Sequence, residues 1–417
     1  MENSDSFFAD ILQALLVLYM SMVIVLIRYF VERKGKKSIY HQIGDKIDFS
    51  TSELLEHKSF AEVIVKKLLK KMQYLSVRGD PHISGNIIGI GSAFENLKIK
   101  PQIQFDFIVL FSLPFQYVSK CVIDEDDIPN AYGKILVSEN WFTNLLITAW
   151  HGRQCGFLGR MCNGNYLSAK AVHERFRSLA DMATDILNDE EEDINLTFLQ
   201  QGPTLKIERR GAPEILVDLV PALKDDSIYL LAKIYGGQFE AGHCQDLLWT
   251  LSFSVQEKAF LEQKDLTLPK NACHKRTLQI LKYLKQEKRN LETPPLWCRT
   301  LSSYHLKTLW LHQLQKTPEG QWQEKFLEER VLQLLDHLIH TLELQTLHHF
   351  FLGNTKLIKQ AGSLCIPKHF LRKGLKYNLY DEIDHSIIVQ SIQELMELQN
   401  NINMYTTYLL SELETNY

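Results

Sequence analysis

The chain has 417 residues, 45% of them hydrophobic and 23% charged, and its formal net charge is −4. This is an ordinary globular balance, long enough for two domains, and it excludes an overall electrostatic bias toward nucleic acid or anionic lipid. Seven cysteines occur without a CxxC pair, which argues against a disulfide framework and against a structural zinc site.

The first predicted element is an uncharged run of seventeen residues, ILQALLVLYMSMVIVLI, at positions 11–27. At about 1.5 Å per residue it is slightly short for a bilayer core, but residues up to 31 extend it if the side chain of Arg28 reaches the lipid headgroups. We therefore predict a single transmembrane helix over about residues 11–31, within a membrane anchor and its flanks at 1–34.

The charges beside this run predict its orientation. Acidic residues precede it, and five basic residues follow it within ten positions: Arg28, Arg33, Lys34, Lys36 and Lys37. The positive-inside rule then places the N-terminus outside and the C-terminal domain in the cytosol, in a single-pass protein of the cell membrane or the endoplasmic reticulum. A cleaved signal peptide and a buried core helix are the alternatives to a membrane span.

The rest of the chain reads as a mixed α/β part followed by helices. A polar connector at 35–50 leads to an amphipathic helix at 52–76, whose apolar residues recur with a period near four. Strand-like runs follow at 86–90, at 103–111 and within 193–223. From about 245 the pattern is helical, with helices predicted at 331–347 and 387–410 among others. The predicted fold class is α+β, with an α/β domain at 51–245 and an all-helical domain at 246–417.

Two short motifs carry the candidate chemistry. Gly91-Ser92 follows an apolar strand-like run, and such a turn presents backbone N–H groups and a hydroxyl to phosphates. About a dozen residues later, Gln104 and Asp106 stand two apart on a predicted strand, so their side chains share one face. This spacing is typical of a nucleotidyltransferase, in which carboxylates hold two divalent cations.

A further acidic residue fits the same site. Asp218 is a lone charge in the apolar run ILVDLV at 215–220, where an unpaired charge is costly. A strand-edge carboxylate facing water is the alternative for both Asp106 and Asp218. The first position of the motif holds Gln104, whose neutral amide coordinates a divalent cation much more weakly than a carboxylate does.

Longer runs give a resemblance to a known family. The motif spacing just described, WTLSFSVQEK at 249–258, CRTLSSYHLKTLWLH at 298–312 and HHFFLGN at 348–354 resemble the Mab-21 family, which includes cyclic GMP-AMP synthase. Within that family the chain is similar to the inositol 1,4,5-trisphosphate receptor-interacting protein-like branch. The resemblance covers roughly residues 55–360. It implies a nucleotidyltransferase-like domain at 51–245 and a Mab-21-type helical domain at 246–417.

The resemblance also implies roles for single residues. Gln104, Asp106 and Asp218 take the three metal-ligand positions, with Asp106 and Asp218 as the remaining metal candidates. The nucleotide-binding positions are Gly91, Ser92, Lys282, Ser303 and Tyr304. Of these, Lys282 would contact the triphosphate, Ser303 a phosphate, and Tyr304 would stack on the base. A helix-surface lysine and a packed aromatic ring are the alternatives for Lys282 and Tyr304.

Departures from the family pattern bear on activity and on partners. Gln104 removes a full negative charge from a site built for two Mg²⁺ ions, so the sequence favours a protein without catalysis; Mg²⁺ and a nucleoside triphosphate remain the candidate cofactors. The stretch 266–276 offers only Cys273 and His274 for zinc, and we predict no nucleic-acid partner. Residues 270–330 hold twelve basic against six acidic residues, which indicates a face for nucleotide or inositol phosphates or for a protein.

Three functions follow from this sequence. The first, which we favour, is a membrane-anchored, catalytically silent family member that binds a protein partner, with the inositol trisphosphate receptor as one candidate. The second is an active metal-dependent nucleotidyltransferase that tolerates Gln104. The third is a cell-surface ligand whose domain is extracellular, for which the sequon Asn195-Leu196-Thr197 would carry a glycan.

Overall fold

The structure is a computed structural model that describes residues 22, 37–77, 79–123, 128–129, 131–140, 156–199, 202–233 and 242–415. The chain divides into two compact units. One comprises residues 47–400, and the other comprises the described residues within 1–46 and 401–417. Every residue of the candidate site discussed below belongs to the first unit.

A mixed sheet forms the first half of the larger unit. Its strands are β1 (His82–Ile90), β2 (Gln104–Ser112), β3 (Tyr117–Val122), β4 (Tyr132–Glu139), β5 (Cys162–Asn163), β6 (Tyr166–Leu167), β7 (Ile194–Phe198), β8 (Thr204–Arg209), β9 (Ile215–Asp225), β10 (Ile228–Leu231) and β11 (Trp249–Ser252). The main order is β1-β2-β9-β10-β11-β4-β6-β5, with β7-β8 joined to β9 and β3 joined to β4. Strands β2 and β9 pair in parallel, whereas β1 and β8 flank them antiparallel.

Eleven helices stand before, between and after these strands in the described part of the chain. They are α1 (Ile39–Ile47), α2 (Thr51–Leu75), α3 (Phe157–Met161), α4 (Ala169–Glu190), α5 (Ser254–Thr267), α6 (His274–Arg289), α7 (Leu296–Thr300), α8 (Ser303–Lys316), α9 (Leu327–Glu343), α10 (His385–Asn400) and α11 (Ile402–Thr415). Short 3-10 segments lie at Gly242–Leu247, Glu319–Trp322, Glu324–Phe326, Thr355–Gln360, Lys368–Leu371 and Lys373–Leu375.

The main core lies between the sheet and helices α2 and α4. Helix α2 buries Ile64, Leu68 and Met72, which recur every four residues as the sequence predicted. Their partners include Phe105 and Phe107 of β2, whose side chains point to the face opposite Asp106 because side chains alternate along a strand. The packing of one face of β2 therefore fixes the other face, which carries the candidate site.

Local structure differs from the sequence prediction in three places. The stretch 35–50 was expected to be a connector, but it contains α1, whose residues Tyr40, Ile43 and Ile47 are buried. The strand β11 lies inside the region expected to be helical. The single helix expected at 387–410 is two helices that break at Asn401, where asparagine side chains compete for the backbone hydrogen bonds of a helix. The domain boundaries at 34/35, 50/51 and 245/246 stay predictions.

The prediction of an N-terminal transmembrane helix is corrected. No helix among the described residues combines the length and the apolar character needed to cross a membrane. The predicted span at 11–31 lies outside the described residues except for Met22, which is helical. In the sequence, the uncharged run has seventeen residues, fewer than the roughly 20 that a bilayer core requires, and the prediction depended on extending it past Arg28.

Four expectations that rested on this span are corrected with it. They are the transmembrane part of the fold class, the single-pass membrane protein, the membrane as a partner, and the location with an outer N-terminus and a cytosolic C-terminal domain. The membrane-anchored form of the function has no support in the structure for the same reason, and the cell-surface ligand stays a prediction. What the structure does bear out is a mixed α/β region followed by a helical region.

Candidate functional site

A glycine turn at the end of β1 opens the site. Gly91 has φ +76°, a backbone conformation that side chains disfavour. A Cβ added there would lie 2.6 Å from Oδ2 of Asp106, so the turn and the carboxylate approach more closely than any other residue type allows. The following loop is held by the N–H of Leu97, which donates to the carbonyl of Ser92 at 2.8 Å.

The acidic side chains come from the two parallel strands. Asp106 of β2 pairs in register with Asp218 of β9, which brings the two carboxylates together. The amide of Gln104 donates to Oδ2 of Asp218 at 2.9 Å, and the hydroxyl of Thr204 on β8 donates to Oδ1. Both oxygens of Asp218 therefore accept hydrogen bonds from uncharged groups of the protein itself.

Burial and charge repulsion together change the protonation of Asp106. Burial raises the pKa of Asp106 to about 6, and the neighbouring Asp218 contributes to this rise through its charge and a shared hydrogen bond. Two lysines oppose this shift, because Lys98 and Lys233 each stabilise the charged carboxylate. Burial also lowers the pKa of Lys98, against the pull of Asp106 and Asp218. The site thus contains a pair of adjacent carboxylates with lysines beside it.

This donor set does not fit two divalent cations. Mg²⁺ prefers hard, anionic oxygen ligands. Here the Gln104 side chain turns an N–H toward Asp218, and the oxygens of Asp218 are already engaged. Nowhere in the described part of the chain do three or more His, Cys, Asp or Glu side chains cluster in a way that could hold a metal ion. The metal-ligand role of Asp106 and Asp218 stays a prediction.

All eight predicted site residues line one cleft of about 740 Å³. Gly91, Ser92, Gln104, Asp106 and Asp218 come from the sheet side, and Lys282, Ser303 and Tyr304 from helices α6 and α8. The described lining residues include six basic side chains, namely Lys98, Lys233, Lys282, Lys285, Arg289 and Lys307. Four are acidic, namely Glu95, Asp106, Asp218 and Glu257. The roles predicted for the eight residues are not thereby tested, but their convergence is what those roles require.

Helix α6 holds the loop that follows the glycine turn. Lys282 donates from Nζ to the carbonyl of Leu97 at 2.9 Å. Gln279 and Gln286, on the same face of α6, donate to the carbonyls of Lys98 and Lys100 at 3.3 and 3.5 Å. Burial and the charges of Lys98 and Lys307 lower the pKa of Lys282 to about 8. Lys282 therefore lies in the cleft as predicted, with one of its three donors engaged by the backbone.

A buried ion triad closes the inner end of the cleft. Lys307 of α8 lies 2.7 Å from a carboxylate oxygen of Glu95 and also contacts Glu257 of α5. The side chains are 13%, 1% and 4% exposed, in that order. Burial would lower the pKa of Lys307, but the two glutamates raise it above its ordinary value. Burial raises the pKa of Glu95, and Lys307 opposes that shift.

Tyr304 takes part in a hydrogen-bonded chain beside this triad. Its hydroxyl lies 2.9 Å from Nε2 of His349 and also bonds to Glu257. Nδ1 of His349 accepts from the N–H groups of Phe351 and Leu352, so the ring proton is on Nε2 and is donated to Tyr304. Burial lowers the pKa of His349 to about 3. Burial, together with Glu257, raises the pKa of Tyr304 well above its usual value. The tyrosine is thus held in a fixed position at the cleft wall.

Sequence reasoning missed several of the residues that define this cleft. Lys98 and Lys233 stand in none of the motifs that pointed to the site. Glu257 and Lys307, however, lie inside WTLSFSVQEK and SYHLKT, the runs that carried the family resemblance. A glutamate and a lysine within such runs were a signal that could have suggested a buried ion pair.

The fold and the cleft define the chain as a nucleotidyltransferase-fold protein with a helical second domain. Residues 93–263 match the Mab-21 protein nucleotidyltransferase domain, and residues 273–394 match the Mab-21 protein HhH/H2TH-like domain. The chain therefore belongs to the Mab-21 family, as the sequence motifs predicted. Gly91 and Ser92 precede the first match, and the other six site residues lie inside the two matches.

Similar curated proteins include several inositol 1,4,5-trisphosphate receptor-interacting proteins. The Takifugu rubripes protein is 27% identical over 77% of this chain and 64% of its own length. The Homo sapiens protein is 25% identical over 91% of this chain and 74% of its own length. The Rattus norvegicus inositol 1,4,5-trisphosphate receptor-interacting protein-like 1 is 26% identical over 81% of this chain and 64% of its own length. The chain thus spans 64% to 74% of the length of these relatives, which is less than two thirds for the Takifugu rubripes and Rattus norvegicus proteins.

Proposed function

We propose that this chain is a catalytically silent member of the Mab-21 family that binds a phosphate-bearing anion in its cleft and acts through binding. The observation that carries the proposal is the hydrogen bond from the Gln104 amide to Asp218, at 2.9 Å. It supports a site that has exchanged a cation ligand for an internal hydrogen bond.

Nucleotidyl transfer places strict demands on this part of the site. Carboxylates must hold divalent cations that orient the nucleophile and neutralise charge on the phosphate. Gln104 supplies no charge, both oxygens of Asp218 are engaged, and the raised pKa of Asp106, about 6, reflects burial beside a second carboxylate. Recruiting two cations would require breaking these contacts first, which argues against efficient transfer.

Anion binding is supported by the charges that remain in the cleft. Lys307 is engaged by Glu95 and Glu257. Of the other described lining residues, five are basic and two are acidic. The basic residues are Lys98, Lys233, Lys282, Lys285 and Arg289, and the acidic residues are Asp106 and Asp218. Over all described lining residues, six basic against four acidic side chains leave an excess of two formal positive charges, which attracts an anion of several charges into a concave site.

The test is a transfer assay on the whole chain with the four nucleoside triphosphates and Mg²⁺ or Mn²⁺. We expect no product from the wild type and none from Asp106→Asn. Gln104→Glu, which restores a carboxylate of equal length, should gain Mn²⁺ binding in a calorimetric titration. Turnover by the wild type that disappears in Asp106→Asn would refute the silent-enzyme proposal.

An active enzyme is the second candidate, favoured by one observation. Asp106 and Asp218 stand directly opposite each other on parallel strands and both line the cleft beside the Gly91 turn. That register is the one a two-carboxylate site needs. The same assay decides between the two functions, because only the active enzyme gives turnover that depends on Asp106.

The names of the relatives suggest the kind of partner. We propose that this chain too binds an inositol trisphosphate receptor, because relatives that cover most of it are named for that interaction. Co-precipitation of the whole chain with the receptor, compared with the Lys98→Ala and Gln104→Glu variants, tests this. No recovery of the receptor above a control with an unrelated protein would exclude it.

A further inference from the structure

The lysines beside the acidic pair suggest how the cleft takes its ligand. Resting on the silent-enzyme function proposed above, we infer that Lys98 and Lys233 take the place of divalent cations at Asp106 and Asp218, so that the cleft binds a polyphosphate in its metal-free form. The ligand class is a chain or cluster of phosphates with no requirement for Mg²⁺.

The position of the two lysines supports this inference. Lys98 comes from the loop after β1, and Lys233 follows β10, so they reach the carboxylates from different strands. Both line the same cleft as Asp106 and Asp218, and both interact electrostatically with Asp106. Two cationic groups beside two carboxylates give the site the number of positive centres that a pair of metal ions would supply, though with smaller charge.

The backbone around Lys98 is fixed by the helical domain. Three side chains of α6, Gln279, Lys282 and Gln286, donate to the carbonyls of residues 97, 98 and 100. These contacts hold the main chain from which Lys98 projects, and its half-buried side chain lines the cleft together with the acidic pair. A cation that is covalently attached and held in this way needs no metal concentration in solution to be present.

Charge balance explains why a metal would then compete poorly. A divalent ion at Asp106 would have to displace or repel two ammonium groups, and it would meet the N–H of Gln104 at the neighbouring position. A metal-free phosphate meets no such barrier, because lysine ammonium groups and the backbone N–H groups of the Gly91 turn are all phosphate donors.

Calorimetric titration of the whole chain with inorganic tripolyphosphate, in EDTA and in excess Mg²⁺, tests the inference. We expect binding in EDTA that Mg²⁺ does not strengthen. Lys98→Ala should weaken it by about tenfold or more, the effect of one charge-assisted contact. Lys98→Arg, which keeps the charge, should stay within about threefold of the wild type. Lys120→Ala, at an exposed lysine of β3 outside the cleft, should bind as the wild type does.

Three results would overturn the inference: binding that requires Mg²⁺, binding that is equal in Lys98→Ala and the wild type, or no binding of tripolyphosphate at all. If Lys98→Ala does not fold, Lys233→Ala replaces it, because the Lys233 side chain is exposed and removing it does not disturb the core. The transfer assay is independent of this titration. If the wild type transfers nucleotides, the silent-enzyme function is refuted. If the wild type shows no transfer but binds tripolyphosphate only with Mg²⁺, only the role of the lysines is refuted.

Discussion

The two ends of the cleft deal with buried charge in different ways. At the inner end, Lys307 makes direct contact with both Glu95 and Glu257, so the protein itself supplies the counter-charge. At the sheet end, the direct partners of Asp218 are a neutral amide and a hydroxyl, and the lysines act on Asp106 through charge alone. We call the inner end closed, because its lysine is already paired with carboxylates, and the sheet end open, because its lysines remain available to a ligand.

The largest expected effect comes from disrupting the ion triad at the closed end. Lys307→Ala removes the shared cation and leaves two buried carboxylates, so the free energy of unfolding should fall by about 3–5 kcal/mol. Chemical denaturation at pH 7 measures it. Lys316→Ala, at an exposed position on the same helix α8, should change stability by less than about 0.5 kcal/mol. Equal effects of the two substitutions would show that the triad does not stabilise the fold.

The next effect has the opposite sign and lies at the open end. The pKa of Asp106 is about 6 in the fold and 3.8 ordinarily, so the folded state binds more protons between these values and its stability falls as pH rises through that window. Asp106→Asn removes this cost and should stabilise the protein at pH 7 by roughly 3 kcal/mol, at about 1.4 kcal/mol per pKa unit.

Melting or denaturant curves at pH 4.5 and pH 7 check this sign. The gain from Asp106→Asn should shrink at the lower pH, where the carboxyl of the wild type is protonated in the fold. Asp193→Asn, at an exposed aspartate outside the cleft, serves as the control. If Asp106→Asn is less stable than the wild type at pH 7, the lysines at the open end stabilise the charged form of Asp106 by more than its burial costs.

A smaller effect measures how closely the turn approaches the acidic pair. Gly91→Ala combines the strain of a positive φ with a Cβ 2.6 Å from Asp106, and we expect a loss of about 2–3 kcal/mol. Gly211→Ala has nearly the same φ, +75°, but meets nothing within 4 Å, so it reports the backbone strain alone. Identical losses in the two variants would deny any contribution from the contact with Asp106.

The smallest effect concerns the hydrogen-bonded chain beside the triad. Tyr304→Phe removes the hydroxyl between His349 and Glu257 and leaves a ring of the same shape, so we expect a loss of about 1–2 kcal/mol. His349→Phe in the same background should then cost less than it does alone, which a double-mutant cycle measures. Additive losses would show that Tyr304 and His349 are not coupled.

Sequence reasoning succeeded where a local pattern carried the information. The lone charge of Asp218 in an apolar run, and the two-residue spacing of Gln104 and Asp106, predicted that these side chains share one surface, and the register of β2 with β9 agrees. The period of four in α2 predicted the residues that form its buried face. Lys282, Ser303 and Tyr304 came only from the family resemblance, since nothing in their neighbourhood distinguishes them from surface or packed residues.

The remainder depends on contacts between distant parts of the chain. Glu95 and Lys307 are 212 residues apart, and no local pattern encodes their pairing. Lys98 looks like one of many surface lysines until the fold places it beside Asp106. The helix α1 was missed because its three buried hydrophobic residues fall within only nine positions, too few for a clear period. The transmembrane prediction was wrong because the uncharged run is marginal in length and the prediction depended on extending it past Arg28.

The contact between α6 and the loop at 97–100 has a consequence for substitutions in that loop. Gln279, Lys282 and Gln286 recognise main-chain carbonyls, which every residue type possesses. Within this loop Leu97 and Ile99 are buried, whereas Lys98 is held through its main-chain carbonyl and its side chain lines the cleft. A substitution at position 98 therefore changes the side chain in the cleft but keeps the carbonyl that accepts the hydrogen bond from Gln279. The charge that position 98 presents to the cleft is therefore separate from the contacts that hold its backbone.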